Sequence, residues 1–371
     1  MGRIISGPQW FGEEMKLRRV NHLMCYWKDD SLRIDDYQSR RQLRISASVI
    51  LLLDQLTNWT DLDDLLAEQA EDQRAVVEKA VLQLRDLGLV ETDENQRHSL
   101  LADSPWNDWG PAALYYHLSS RDADYVSDRE ERRSMAEALA LAEPPSQFKE
   151  YRDYPFTYLP RTHSKLDMSL NDALMRRRTH RDFSDTPVPL DILSTILHIT
   201  FAPMAFFEAP PFGMLPLKTS PSAGARHETE CYVAAFNVKD LLPGLYHYST
   251  ERHGLSRLRS DFSRDLMGYL SYEQRQCRNS AFSLITTASL ERLSYKYKHQ
   301  RAYRLWFYDI GHIGQTFALV CTALGLGPFQ TAAFRDAEIE RELGVESSSE
   351  YASYILGAGY PLNTAQSGLT T

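Results

Sequence analysis

The stretch WFYDIGHIGQTFALVCTALGLGPFQTAAF, residues 306–334, decides how the rest of the chain is read. Its first half is apolar on nearly every side at helical spacing, and a helix without a polar face has to be enclosed by other elements. The spacing predicts one long central helix from Tyr297 to Leu324, which the glycines of ALGLGP end. FQTAAF then reads as a strand, DAEIERELG as a short amphipathic helix closed by Gly344, and EYASYILGAGYP as another strand. Upstream, CYVAAFNV, GLYHYS, GLSRLR and FSLITTA read as strands, the middle two as a hairpin. Ser169 with Asp172 caps the helix NDALMRRR, and Pro189 opens LDILSTILHIT. The expected class is α+β: a mostly antiparallel sheet flanked by helices.

The N-terminal third, residues 1–115, reads as a separate unit. ISASVILLLDQLTN is an apolar helix, Thr60 and Asp63 form a capping box, and QRAVVEKAVLQLRDLG carries a helical stripe that ends at Gly88. LVETDENQRHSLL looks like a hairpin, and MCYWKDDSLRI supplies a preceding strand. Three helices and a β wing make a winged helix-turn-helix-like domain. Residues 60–97 carry eleven Asp and Glu against four Lys and Arg, the wrong sign for neutralising phosphates. A scaffold, or a groove that takes a peptide beside the wing strand, fits better. Residues 116–165 mix charge, proline and tyrosine around one helix near Arg132 to Ala142, and read as a connector to a second domain at 166–371.

The whole composition agrees. In 371 residues, 43% are hydrophobic and the net charge is −9, so a large core is available and bulk attraction to nucleic acid is not. Cys25, Cys231, Cys277 and Cys321 lie far apart and near no spaced histidine pair, so neither a disulfide framework nor a metal site is expected. There is no secretion signal and no apolar run of about 18 residues, so no membrane contact is expected and a reducing cytoplasm is the expected location.

Three stretches carry chemistry. RRRTHRDFSD (176–185) masses four arginines at the end of a capped helix. Guanidinium forks suit phosphate oxygens, but the same charges also answer a helix C-terminal dipole. TSPSAGARHETE (219–230) is a turn whose small residues let backbone N–H groups approach a planar or anionic ligand, though such turns occur in ordinary loops. SYKYKHQRAYRLW (294–306) crowds cations around Lys296. Neighbours such as Lys298, Arg301 and Arg304 would lower the pKa of that lysine, or would simply be solvated. Asp309 and His312 read as a core polar network.

In this order the motifs resemble the SagB-type, McbC-like dehydrogenases of the FMN-dependent nitroreductase superfamily, over roughly residues 116–359. The resemblance implies a nitroreductase-like fold, FMN at a homodimer interface, and oxidation of thiazolines or oxazolines to thiazoles or oxazoles in ribosomally made peptides. It implies that Arg177, Arg178, Thr179 and Arg181 hold the flavin phosphate and part of the ring. Ser222, Ala223, Gly224 and Arg226 would form the second flavin loop, Gln315 would touch the flavin or its partner subunit, and Thr331, Ala332 and Ala333 would lie by the reactive ring edge. Lys296 and Tyr297 would be the catalytic pair. The implied partners are a modified precursor peptide and a cyclodehydratase. Pro328 departs from the pattern by removing a backbone donor beside the flavin. The tail PLNTAQSGLTT departs too, since it has no Lys or Arg. Open alternatives are oxidation of a peptide side chain, NAD(P)H-dependent reduction of nitro compounds or quinones, and a flavin-free peptide-binding scaffold.

Overall fold

A computed structural model describes residues 15–96, 104–123 and 125–362. The chain divides between residues 123 and 124 into two compact units. In the first, helices Ala47–Gln55, Leu62–Ala67 and Arg74–Asp86 gather around Leu17, Ile34, Leu56, Leu65 and Val81. The cap of the second helix is Asp61, which accepts from the Asp63 N–H at 3.1 Å. Thr60, the expected cap, instead pairs with Leu17 in a short strand. MCYWKDDSLRI, expected as one strand, is a hairpin of Leu23–Lys28 against Ser31–Asp36. Asp29 and Asp30 both take positive φ, 48° and 54°, the two-residue turn whose twist matches a hairpin and which aspartate tolerates. Val90–Thr92 pairs with Lys16–Arg19, whereas the far arm of the expected wing hairpin runs into residues 97–101, outside the described residues.

The second unit is built on a seven-stranded sheet. Its order is Gly327–Thr331, Glu350–Gly359, Phe282–Ser289, Thr229–Ala235, Gly244–Ser249, Gly254–Arg259 and Phe156–Tyr158. Every neighbouring pair is antiparallel. Alternation along Thr229–Ala235 sends Cys231, Val233 and Ala235 to one face and Tyr232 and Ala234 to the other, and both faces are buried. Helix Leu190–Phe201 and the long helix cover the first face; helices Arg264–Leu270 and Asp336–Leu343 cover the second. Burial on both sides explains why Cys231–Ala235 is a continuous apolar run in the sequence. Pro328 lies on the edge strand, where a missing donor costs no ladder bond, and its carbonyl accepts from the His180 N–H at 2.9 Å.

The long helix differs from expectation at its start. Helix Leu290–Lys296 stops, Tyr297 is extended at φ −110° and ψ 103°, and a 3-10 turn at Gln300–Arg304 leads into helix Leu305–Ala323. Packing requires the break. Leu293 shares one cluster with Trp306 and Ile310, yet in an unbroken helix Leu293 and Trp306 would stand about 20 Å apart. The helix also has a bare stripe along its first half, where Phe307, Tyr308, Gly311, His312 and Gln315 are exposed. His312 therefore does not join Asp309 in the core.

Candidate functional site

Two groups of residues meet the long helix. In the first, helix Leu170–Arg176 is capped by Ser169, whose hydroxyl accepts from the Asp172 N–H at 3.0 Å. The chain leaves that helix at Arg177 and is pinned to the edge strand by the His180 N–H and by Gly327, where a Cβ would stand 2.6 Å from the His180 ring. Arg177 and Thr179 then line a cleft of about 480 Å³ with Gln315, Ala318, Phe329, Gln330 and Tyr354. Arg178 folds back and donates to the carbonyls of Met175 and Arg177 at 2.9 and 2.8 Å, the helix-end role. Arg181 is exposed. Thr331 ends the edge strand and takes the Ala333 N–H at 3.1 Å; Ala332 and Ala333 are exposed beyond it. Sequence reasoning missed Gln330, which donates to the Gly314 carbonyl and accepts from the Tyr354 hydroxyl at 3.2 Å. A glutamine in a strand gives no sign of which element it will face.

In the second group, the SPSAGAR loop lies along one flank of the long helix. Ser220 and Thr316 hydroxyls meet at 2.7 Å, and the Ala223 N–H donates to Asp309 at 2.9 Å. Gly224 has φ +59°, and an added Cβ would stand 2.6 Å from both the Lys296 ammonium and the Tyr297 hydroxyl. Only glycine permits that approach. Arg226 donates to the Gly224 carbonyl at 3.0 Å, while its Nη2 is buried without an acceptor. Phe212, from the hairpin Ala205–Glu208 with Met214–Leu217, caps both cations; its ring centre is 5.4 Å from Arg226 and 5.5 Å from Lys296. The structure thus gathers Ser222, Ala223, Gly224, Arg226, Lys296 and Tyr297.

Burial lowers the pKa of Lys296, and the Arg226 guanidinium lowers it further. The resolved neighbour is Arg226, in place of the Lys298, Arg301 and Arg304 named from the sequence. Tyr297 is raised, chiefly by burial, and stays protonated. Under the loop, Glu228 is fully buried beside Asp309. Burial, and then the negative Asp309, push Glu228 up to about 7, and burial raises Asp309 as well.

The nitroreductase family matches residues 174–360 of this chain. The chain belongs to the nitroreductase family. Within it, the sequence motifs resemble those of the SagB-type, McbC-like branch. A Methanocaldococcus jannaschii protein bearing the nitroreductase name is 31% identical over 193 residues, 52% of this chain and 91% of the relative. The trifolitoxin-processing protein TfxB of Rhizobium leguminosarum bv. trifolii is 27% identical over 65% of this chain and 68% of its own. The trifolitoxin operon protein TfxC of the same organism is 22% identical over 81% of this chain and 86% of its own.

Proposed function

We propose that this nitroreductase-family chain is an FMN-dependent dehydrogenase that converts thiazoline or oxazoline rings to thiazoles or oxazoles in a ribosomally made peptide. The observation that carries the reading is the convergence of Lys296 and Tyr297 on Gly224, at an approach that only a glycine allows. Two features favour FMN. Arg226 has a buried nitrogen without an acceptor, and Arg177 with Thr179 offers donors for a phosphate in a cleft shared with Gln315. Arg178 and Arg181 are exposed on the same segment, and Thr331 to Ala333 would lie by the reactive ring edge.

Aromatising an azoline takes a proton from the carbon bearing the carbonyl and a hydride from the ring carbon beside the heteroatom. FMN, when bound, accepts the hydride. Lys296 takes the proton: burial and Arg226 favour its neutral amine, the form that can act as a base. Tyr297 keeps its proton and donates a hydrogen bond that orients the amine or the substrate. TfxB's processing role favours a peptide substrate, and with it a cyclodehydratase partner that forms the azoline. A homodimer with FMN at its interface is favoured by exposed apolar side chains on and beside the long helix, Tyr308 (53% exposed) on it and Leu170 (69%) and Met175 (67%) on the helix next to it.

Mass spectrometry of an azoline peptide tests the reading. Wild type is expected to remove about 2 Da per ring and Lys296→Ala none, the hydride acceptor being present in both. An unchanged Lys296→Ala protein removes the lysine as base. The relative with the nitroreductase name favours a second reading, reduction of nitro compounds or quinones by NAD(P)H. Steady NAD(P)H consumption without peptide would select it.

A further inference from the structure

We propose that His163, His198 and His253 form a binding site for a divalent transition-metal ion of the kind that zinc exemplifies. The three come from the segment after strand Phe156–Tyr158, the last turn of helix Leu190–Phe201 and the turn between strands Gly244–Ser249 and Gly254–Arg259. One ring nitrogen from each lies within 4.8 Å of the other two. No motif spacing joins them, so the expectation of no metal site, which rested on cysteine and histidine spacing, did not reach this cluster.

Three observations bear on a ligand. The Nδ1 of His163 is buried with no hydrogen-bond partner, and an orphaned imidazole nitrogen on a donor cluster is a vacancy in the local hydrogen-bond pattern. The third ring has outer support, because the Tyr248 hydroxyl meets His253 Nδ1 at 2.8 Å and fixes its orientation. Finally, the His253 Nε2 meets the Ser194 hydroxyl at 2.9 Å and the Pro160 carbonyl at 3.2 Å; an ion would displace both contacts, and Ser194 would keep its own 2.7 Å bond to that carbonyl.

His163 and His198 are stacked, with ring centroids 4.0 Å apart and planes at 12°. Their in-plane lone pairs run parallel, so ligation requires one ring, on the segment after Leu159, to rotate about its own side-chain torsion. Three nitrogens leave a fourth tetrahedral position for water. Such an ion would clasp the segment at 160–163 onto the helix and the turn, on protein that carries none of the proposed flavin residues.

The test uses the full chain, stripped with chelator and titrated with Zn²⁺ by calorimetry and with Co²⁺ by visible absorption. The expected result is one tight equivalent per chain, a tetrahedral Co²⁺ band and a rise in melting temperature with Zn²⁺. His163→Gln and His198→Ala should each weaken binding about tenfold or more. Circular dichroism without metal checks that both variants fold. Absence of a stoichiometric site, or a site that survives both substitutions in folded protein, overturns the proposal.

Discussion

At the scale of single residues, the site is governed by what surrounds each charge. Lys296 is flanked by Arg226, and Phe212 shields both from water. Replacing Arg226 with Gln removes a cation and favours the ammonium, so the pKa of Lys296 rises. The acid limb of the pH–rate profile is then expected to move to higher pH, with a severalfold lower rate at neutral pH; Arg226→Lys should largely restore it. A profile that does not move in Arg226→Gln sinks this coupling. Glu228 makes the opposite case. Its folded pKa lies above its unfolded value, so its contribution to stability is full below the unfolded carboxylate range and is lost as pH rises through about 7. Wild type should therefore lose melting temperature from pH 5 to 8, and Glu228→Gln, which cannot ionise, should lose less. Parallel curves from fluorimetry across that range would remove the buried proton from the account.

At the scale of elements, the legible parts were those with local signals. Ser169, Pro189 and Gly344 stand at the helix ends that their chemistry specifies, and the strands at 229–235, 244–249, 254–259 and 282–289 lie where their β-branched and aromatic residues and the hairpin spacing place them. The break at Tyr297 was not legible. Lys, Tyr, Gln and Arg on either side of it are compatible with a helix, and only the distant contact of Leu293 with Trp306 forbids one. The hairpin at 205–217 escaped for a related reason: its first strand, Ala205–Glu208, is exposed at every residue and shows no alternation. The candidate site follows the same division. The Gly224 loop and the Lys296–Tyr297 pair could be named from motifs, whereas Phe212, Glu228 and Gln330 reach it only through the fold.

At the scale of the whole molecule, the long helix with its exposed stripe packs against helix Leu170–Arg176, whose Leu170, Leu174 and Met175 are exposed. If that face joins two copies, Leu174→Arg, which places a charge on a side chain 49% exposed, should convert a dimer to a monomer in light scattering and lower bound FMN together with it. A dimer that survives the substitution places the interface elsewhere. The helix also carries the Asp309 and Thr316 tethers of the loop on the flank of that same stripe. One rod thus serves as an axle for two loads. Turning it by a single residue, about 100°, would slide the loop off its tethers and point the bare stripe away from its contact together. If two copies meet on that stripe around a flavin, substitutions along it should shift subunit pairing and prosthetic-group retention in step, and neither could then be tuned by evolution without the other.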